Sequence, residues 1–192
     1  MLKSNRVRFY SAAGNWVVIG CRASIVIIAL QWLISGNPIW FIIGLVSFVL
    51  TLLPQALLRN DRLAFFSKVL VSLFLSVHII LGMYFGFYER SLVFDKLMHM
   101  LGSFALTALV IMAITQYCGQ IQFRPSKFFL FTIVLSIAVS MGVFWEVFEF
   151  TIDNTGLVYA QRGLSDTMFD LIANITGVLG ALCIHMNRAT VK

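Results

Sequence analysis

The sequence predicts an all-helical integral membrane protein, a bundle of six transmembrane helices with both termini in the cytoplasm. Of its 192 residues, 60% are hydrophobic and only 11% are charged, and the mean hydropathy is +0.92. Ordinary soluble domains contain roughly 45–50% apolar and 25% charged residues, so the charged residues here are too few to cover the apolar surface in water. The composition therefore excludes a soluble globular protein.

Six apolar stretches are each long enough to cross the hydrocarbon core of a bilayer, which needs about 20 helical residues. They cover residues 16–35, 39–58, 69–88, 97–118, 127–150 and 167–186. Turn residues separate them, as at Ser35-Gly36-Asn37-Pro38, and Pro54 predicts a kink in the second span. Because no long linker interrupts the chain, we assign residues 1–192 to a single membrane domain.

The basic residues indicate topology. The net charge is +6, but these residues fall between apolar stretches and do not form one polar face, which argues against nucleic-acid binding. Alternate loops and the termini carry ten Lys and Arg residues on one side and three on the other. By the positive-inside rule, the richer side, with both termini, faces the cytoplasm, and the protein is multi-pass in the cytoplasmic (inner) membrane.

Polar residues gather at the outer ends of spans 4 and 5. Asp95 and His99 lie one helical turn apart at the start of span 4, and Glu146 and Glu149 share a face at the end of span 5. Two carboxylates in an apolar run are costly unless they are paired, protonated or bound to a cation. The simpler alternatives are a helix N-cap for Asp95 and emergence into the headgroup region for the two glutamates.

The outer end of span 6 carries a third polar group. Asp166, Asp170 and Asn174 recur every four residues, so they follow one stripe of the helix, and capping accounts for the first of them at most. Small residues, Gly177 and Ala181, continue almost the same stripe inward. Small residues at this spacing are typical of close helix packing in lipid.

These three groups are expected to meet, because spans 4, 5 and 6 alternate in direction and their polar ends reach the same side at the same depth. Carboxylates with an imidazole suit zinc, manganese, magnesium or calcium, and no spacing selects one of them. The predicted ligands of this divalent cation are His99, Glu146, Glu149 and Asp170. The predicted supporting residues are Asp95, Asp166 and Asn174. Glu146 or Glu149 is the predicted general base.

The same residues resemble the VanZ-like membrane proteins and, more closely, the YjdF-type bacterial inner-membrane proteins. The resemblance covers about residues 95–181. It rests on Asp95-Lys96-x-x-His99, on Glu146-x-x-Glu149, and on Asp166-Thr167-x-x-Asp170-Leu171-Ile172-x-Asn174-x-x-Gly177. It implies a bacterial multi-pass membrane protein and supports the site without naming its reaction.

Three classes of function remain open from the sequence. The leading hypothesis is a cation-dependent enzyme that acts on a membrane lipid or a lipid-linked cell-envelope precursor at the outer leaflet. The second is an ion- or proton-coupled transporter, since intramembrane carboxylates and histidine also form cation sites and proton relays. The third is a non-catalytic envelope accessory or lipid-binding protein, whose polar cluster only sets the helix register. The oligomeric state is not predicted.

Overall fold

The computed structural model describes the backbone of residues 2–59, 61–156 and 158–188, and these form helices, turns and loops without a β-strand. Six of the helical segments are long and apolar enough to cross a membrane, with mean hydropathies of 1.7–2.2. They are Ala13–Ile34, Pro38–Leu57, Leu63–Tyr84, Leu92–Gln120, Lys127–Asp153 and Leu164–Asn187. The predicted all-helical fold with six candidate spans is confirmed, and the cytoplasmic placement of the termini stays a prediction.

Contacts within the chain define two compact units, Met1–Arg90 and Ser91–Lys192. The first unit contains α1 (Leu2–Ile34), α2 (Pro38–Leu50), α3 (Leu53–Leu57), α4 (Asp61–Val77), a π-helical segment (His78–Tyr84) and α5 (Phe87–Arg90). The second contains α6 (Leu92–Gln120), α7 (Lys127–Asp153) and α8 (Leu164–Arg188). The assignment of the whole chain to a single domain stays a prediction.

In the first unit, the second span is interrupted. The helix breaks at Thr51 and Leu52. Pro54 lies in the first turn of the short continuation, where its missing amide proton breaks no helical hydrogen bond. Arg22 of α1 donates from Nε to the Thr51 hydroxyl at 3.0 Å and from Nη2 to the Thr51 carbonyl at 2.8 Å. The guanidinium therefore supplies hydrogen-bond donors to the Thr51 oxygens at the break, within an apolar span.

The third span also departs from a regular α-helix. It ends with the π-helical segment at Tyr84, whereas the predicted span continues to residue 88. The span ends early because the chain turns at Gly86, which has φ +68. His78 opens the segment and lies 2.6 Å from the Tyr88 hydroxyl through Nδ1. A Cβ on Gly82 would lie 2.2 Å from the Tyr88 ring, so this glycine makes room for the tyrosine.

In the second unit, helix starts differ from those predicted. Helix α6 begins five residues before the expected position 97, because Ser91 accepts a hydrogen bond from the Phe94 amide and acts as the N-cap. Asp95 is therefore inside the first turn, and the N-cap alternative for it is wrong. Lys96, which the sequence placed in a loop, is helical as well.

Helices α6 and α8 pack most closely of the three in this unit, and α7 packs against both. A Cβ on Gly177 of α8 would lie 2.1 Å from the Met100 carbonyl oxygen of α6, so the two backbones touch at this glycine. Below it, Val134, Val178 and Leu182 belong to a fully buried apolar core. This packing sets the N-terminal ends of α6 and α8 and the C-terminal end of α7 around one polar cluster.

Candidate functional site

Lys96 lies at the centre of the aspartates. Its Nζ is 3.1 Å from Asp95 Oδ2, 2.5 Å from Asp166 Oδ1 and 2.7 Å from Asp170 Oδ1. The three carboxylates come from α6 and α8, and all are at least nine-tenths buried. The ammonium therefore joins the two helices by ion pairs near their N-terminal ends.

His99 lies one turn deeper and faces two groups of carboxylates. Its Nε2 is 3.6 Å from Asp95 Oδ1 and 3.5 Å from Asp170 Oδ1. Its Nδ1 is 3.4 Å from Glu146 Oε1 on α7, and the imidazole is only 8% exposed. One ring nitrogen thus faces aspartates and the other faces a glutamate.

Glu146 is the least satisfied acid of the cluster. It is 4% exposed, and neither of its carboxylate oxygens has a hydrogen-bond partner. Glu149, one turn further along α7, is half-buried and accepts a hydrogen bond from Trp145 Nε1 at 2.6 Å. A buried carboxylate without a donor is costly, so the position of Glu146 favours a cation at its oxygens.

Two overlapping sets of groups lie close enough to hold an ion. One is Asp95, His99 and Asp170, and the other is His99, Glu146 and Glu149. Within each set, one ligand atom per residue lies within 4.8 Å of the others. His99 therefore belongs to both sets, and the other three predicted ligands are divided between them: Asp170 lies on one side of the ring and the two glutamates lie on the other.

The two sets differ in charge compensation. Lys96 already contacts Asp95 and Asp170, so an ammonium occupies the place of a cation in the first set. Glu146 contacts His99, which is charged only when it is protonated, and Glu149 accepts from the neutral Trp145 indole. The second set is therefore the one in which a bound cation would compensate buried negative charge.

The loop between α7 and α8 is tied down beside the cluster. Asp153 accepts hydrogen bonds from the backbone amides of Ala160 and Gln161, and the latter is 2.9 Å long. Gln161 Nε2 in turn donates to the Glu146 carbonyl at 3.3 Å, and the Arg162 amide donates to Asp166 Oδ2 at 3.1 Å. These contacts hold the loop against Glu146 and Asp166 of the site.

Asn174 belongs to a separate polar contact one turn below Asp170. Its Oδ1 accepts a hydrogen bond from Ser103 at 2.7 Å, while its Nδ2 is buried without a partner. A Cβ on Gly142 would approach Nδ2 to 3.2 Å, so α7 passes close to the amide. Its supporting role in cation binding stays a prediction.

Lys96 is the principal residue of the site that sequence reasoning missed. The predicted fourth span begins at residue 97, which places Lys96 in the preceding loop. The signal that identifies it is local: Ser91 is a suitable N-cap, and a helix beginning at Leu92 places Lys96 in its second turn, beside Asp95.

Comparisons with known proteins agree with the fold. A family model described as "Predicted membrane protein (DUF2238)" matches residues 15–190. An uncharacterized protein of Thermotoga maritima is 33% identical over 117 residues, which are 58% of this chain and 57% of that relative's length. The alignment therefore spans less than two thirds of the relative. No solved structure matches the chain.

Proposed function

Since the chain belongs to the DUF2238 family of predicted membrane proteins, we propose that it is a divalent-cation-dependent membrane enzyme. Its substrate is a phosphoryl or acyl group of a membrane lipid or a lipid-linked envelope precursor. The observation that carries the proposal is Glu146, a nine-tenths buried carboxylate whose two oxygens accept no hydrogen bond, beside a histidine and a second glutamate.

The spacing of the ligand atoms fits a small cation. Bond lengths of about 2.0–2.1 Å in a tetrahedral site put neighbouring ligand atoms about 3.3–3.4 Å apart. His99 Nδ1 and Glu146 Oε1 are 3.4 Å apart, which is too long for a hydrogen bond with good geometry and suitable for a shared ion. Glu149 would be the third ligand.

The other face of His99 supplies the support that metal-binding histidines ordinarily have. A ligating imidazole donates its second N–H to a carboxylate, which orients the ring and makes it a better ligand. Asp95 and Asp170 lie 3.6 and 3.5 Å from Nε2, which is beyond a normal hydrogen bond but close enough for electrostatic attraction, and Lys96 contacts both of them. In this proposal Asp170 therefore orients His99 and is not itself a ligand.

The chemistry follows from the ligand count. One histidine and two glutamates leave at least one coordination position for water or substrate, as in catalytic zinc sites. A divalent cation held by His99, Glu146 and Glu149 would act as a Lewis acid toward a phosphoryl or acyl oxygen and would make hydroxide available near neutral pH. The second carboxylate oxygen of Glu146 or Glu149 accepts the proton that the attacking water gives up.

The location of the reaction is part of the proposal. The surplus of positive charge in alternate loops supports placing the site at the outer face of the bacterial inner membrane. The resemblance of the C-terminal half to VanZ-like and YjdF-type proteins supports a substrate of the cell envelope. A cysteine introduced at Tyr159, which is 95% exposed, will react with an impermeant thiol reagent from outside in intact spheroplasts; labelling only after lysis would invert the topology.

Cation binding is tested by thermal unfolding of the purified protein in detergent, with and without zinc, manganese, magnesium or calcium. A cation at about 100 times its Kd stabilises the folded state by about 2.7 kcal/mol, and a chelator reverses the shift. Glu146→Gln and Glu149→Gln abolish the shift, whereas Glu89→Gln, at an exposed glutamate of α5, retains it.

Turnover is then measured on a panel of phospholipids and polyprenyl phosphates with the cation that binds. Product formation that needs both the cation and Glu146 supports the enzyme. Absence of a thermal shift with all four cations refutes the cation site. Cation flux into proteoliposomes without product formation supports the transporter instead.

A further inference from the structure

Trp145 lies one helical turn before Glu149 on α7 and hydrogen-bonds its carboxylate. The indole Nε1 donates to Glu149 Oε1 at 2.6 Å, which is shorter than the usual distance of about 2.9–3.0 Å, as expected when the acceptor is a carboxylate. The indole is 43% exposed and lies beside the Phe148 ring, with the ring centroids 5.7 Å apart. Trp145 therefore does more than anchor an apolar surface, because its one polar atom contacts a member of the proposed cation site.

The three members of that site differ in how firmly they are held. The His99 imidazole is 8% exposed and Glu146 is 4% exposed, so the packing of α6, α7 and α8 restricts both side chains. Glu149 is only half-buried, and a glutamate near a surface has several rotamers of similar energy. The orientation of Glu149 therefore depends on its contact with Trp145.

This hydrogen bond sets the direction in which the Glu149 carboxylate points. Side chains on a helix lean toward its N-terminus, so the fifth residue of a turn reaches back over the first. In this orientation Glu149 has a ligand atom within 4.8 Å of those of His99 and Glu146. Trp145 therefore draws the carboxylate back along α7 toward the other two ligands and away from the helix end at Asp153.

We propose that Trp145 is a positioning residue of the cation site: its indole N–H holds Glu149 Oε1 and leaves Oε2 for the ion. This inference rests on the proposed function, because it concerns the third ligand of that cation. Hydrogen bonds from neighbouring groups orient the carboxylates that bind metals, and losing such a partner typically weakens metal binding by about 10–100-fold. Trp145 acts through Glu149 and is not a ligand, because an indole N–H is only a donor.

The Kd of the cation is measured by thermal unfolding in detergent at increasing concentrations of the cation that stabilises the protein. Trp145→Phe keeps an aromatic ring but loses the N–H, so its Kd should rise by about 10–100-fold. Trp145→Gln loses the ring but keeps an N–H donor one turn from Glu149, so it should bind the cation more tightly than Trp145→Phe. Trp16→Phe is the matched control, at a 72% exposed tryptophan of the first unit, and should leave the Kd unchanged.

The indole N–H also gives a spectroscopic readout. The chain has four tryptophans, so NMR of protein labelled with ¹⁵N-tryptophan resolves four indole N–H signals. The Trp145 signal, identified by its absence in Trp145→Gln or Trp145→Phe, should move when the cation is added and when Glu149 is replaced by glutamine. The other three tryptophans lie in the first unit, and their signals should stay in place. A Trp145 signal that does not respond to a saturating cation would overturn the proposal, because the carboxylate that it contacts would not be a ligand.

The outcomes separate this inference from the proposed function. If Trp145→Phe binds the cation as tightly as Trp16→Phe, Trp145 positions no ligand, although the cation site stands. If Trp145→Gln binds no more tightly than Trp145→Phe, the ring and not the N–H supports the site, and the proposal is overturned. If no cation stabilises the unmodified protein, this inference and the proposed function both fall. If the Kd depends on the N–H but no lipid is turned over, the positioning role stands and the proposed enzyme does not.

Discussion

The contact between α6 and α8 at Gly177 makes a sharp test of the packing that assembles the site. A Cβ added there would lie 2.1 Å from the Met100 carbonyl oxygen and 3.1 Å from the Phe104 amide nitrogen. A carbon normally approaches a carbonyl oxygen to about 3.3 Å, so Gly177→Ala must separate the two backbones by about 1.2 Å. Neither atom is the end of a flexible side chain, so no rotamer change relieves the clash.

The cost follows from overpacking. Inserting a methyl group into a packed interior costs about 1–3 kcal/mol, and a backbone-to-backbone contact belongs in the upper half of that range. Replacing glycine by alanine within a helix stabilises the helix by up to about 1 kcal/mol, which offsets part of this cost. Gly180→Ala gains the same propensity on the same helix, but its Cβ would meet only the Phe104 ring at 3.8 Å, an ordinary contact.

The two variants are therefore compared with each other. Gly177→Ala should be less stable than Gly180→Ala by about 2–3 kcal/mol, or about 4–12 °C in Tm for a chain of this size. The assay is thermal unfolding in detergent followed by circular dichroism. Two Tm values within about 1 °C would refute the close approach of α6 and α8, and with it the argument that this packing brings Lys96 to the aspartates of α8.

Two further variants test buried charges elsewhere in the chain. Lys96→Met leaves three buried aspartates without their ammonium and should lower the free energy of unfolding by about 3–5 kcal/mol. The control Lys68→Met loses only an exposed hydrogen bond and should lower it by less than about 0.5 kcal/mol. Equal losses would show that the ion pairs do not hold α6 and α8 together. Thr51→Val removes the hydroxyl that accepts from Arg22 but keeps the hydrogen bond to the Thr51 carbonyl, so the free energy of unfolding should fall by about 1–2 kcal/mol. The exposed Thr151→Val is the control and should change it little. An unchanged stability of Thr51→Val would show that the carbonyl alone satisfies the arginine.

The grouping of His99 with the carboxylates shows how far sequence reasoning reaches. Spacing along single helices placed Asp95 with His99 and Glu146 with Glu149, and alternating direction placed all three helix ends on one side. Whether their side chains face one another depends on how each helix is rotated about its axis. That rotation is decided by contacts such as the one at Gly177, where a single missing side chain lets two backbones meet.

Lys96 shows where the reasoning failed. The apolar window identified the span but not its first residue, because a hydropathy average does not detect a single capping hydroxyl. Ser91 starts the helix one turn earlier than the apolar pattern suggests, and this turns a loop lysine into a buried ion-pair partner. The position of a helix end depends on individual hydrogen bonds, whereas the presence of a membrane-spanning helix depends on the hydropathy summed over about twenty residues.

By itself the sequence determined the class of fold and the number of spans. Apolar runs of about twenty residues separated by turns cross the hydrocarbon core as helices, because a helix pairs every backbone amide and carbonyl within its own segment. Only the tertiary structure decided that Lys96 contacts the aspartates and leaves the Glu146 carboxylate without a hydrogen-bond donor. Both outcomes depend on ångström-scale distances between helices, and the energy of a buried charge changes steeply over such distances.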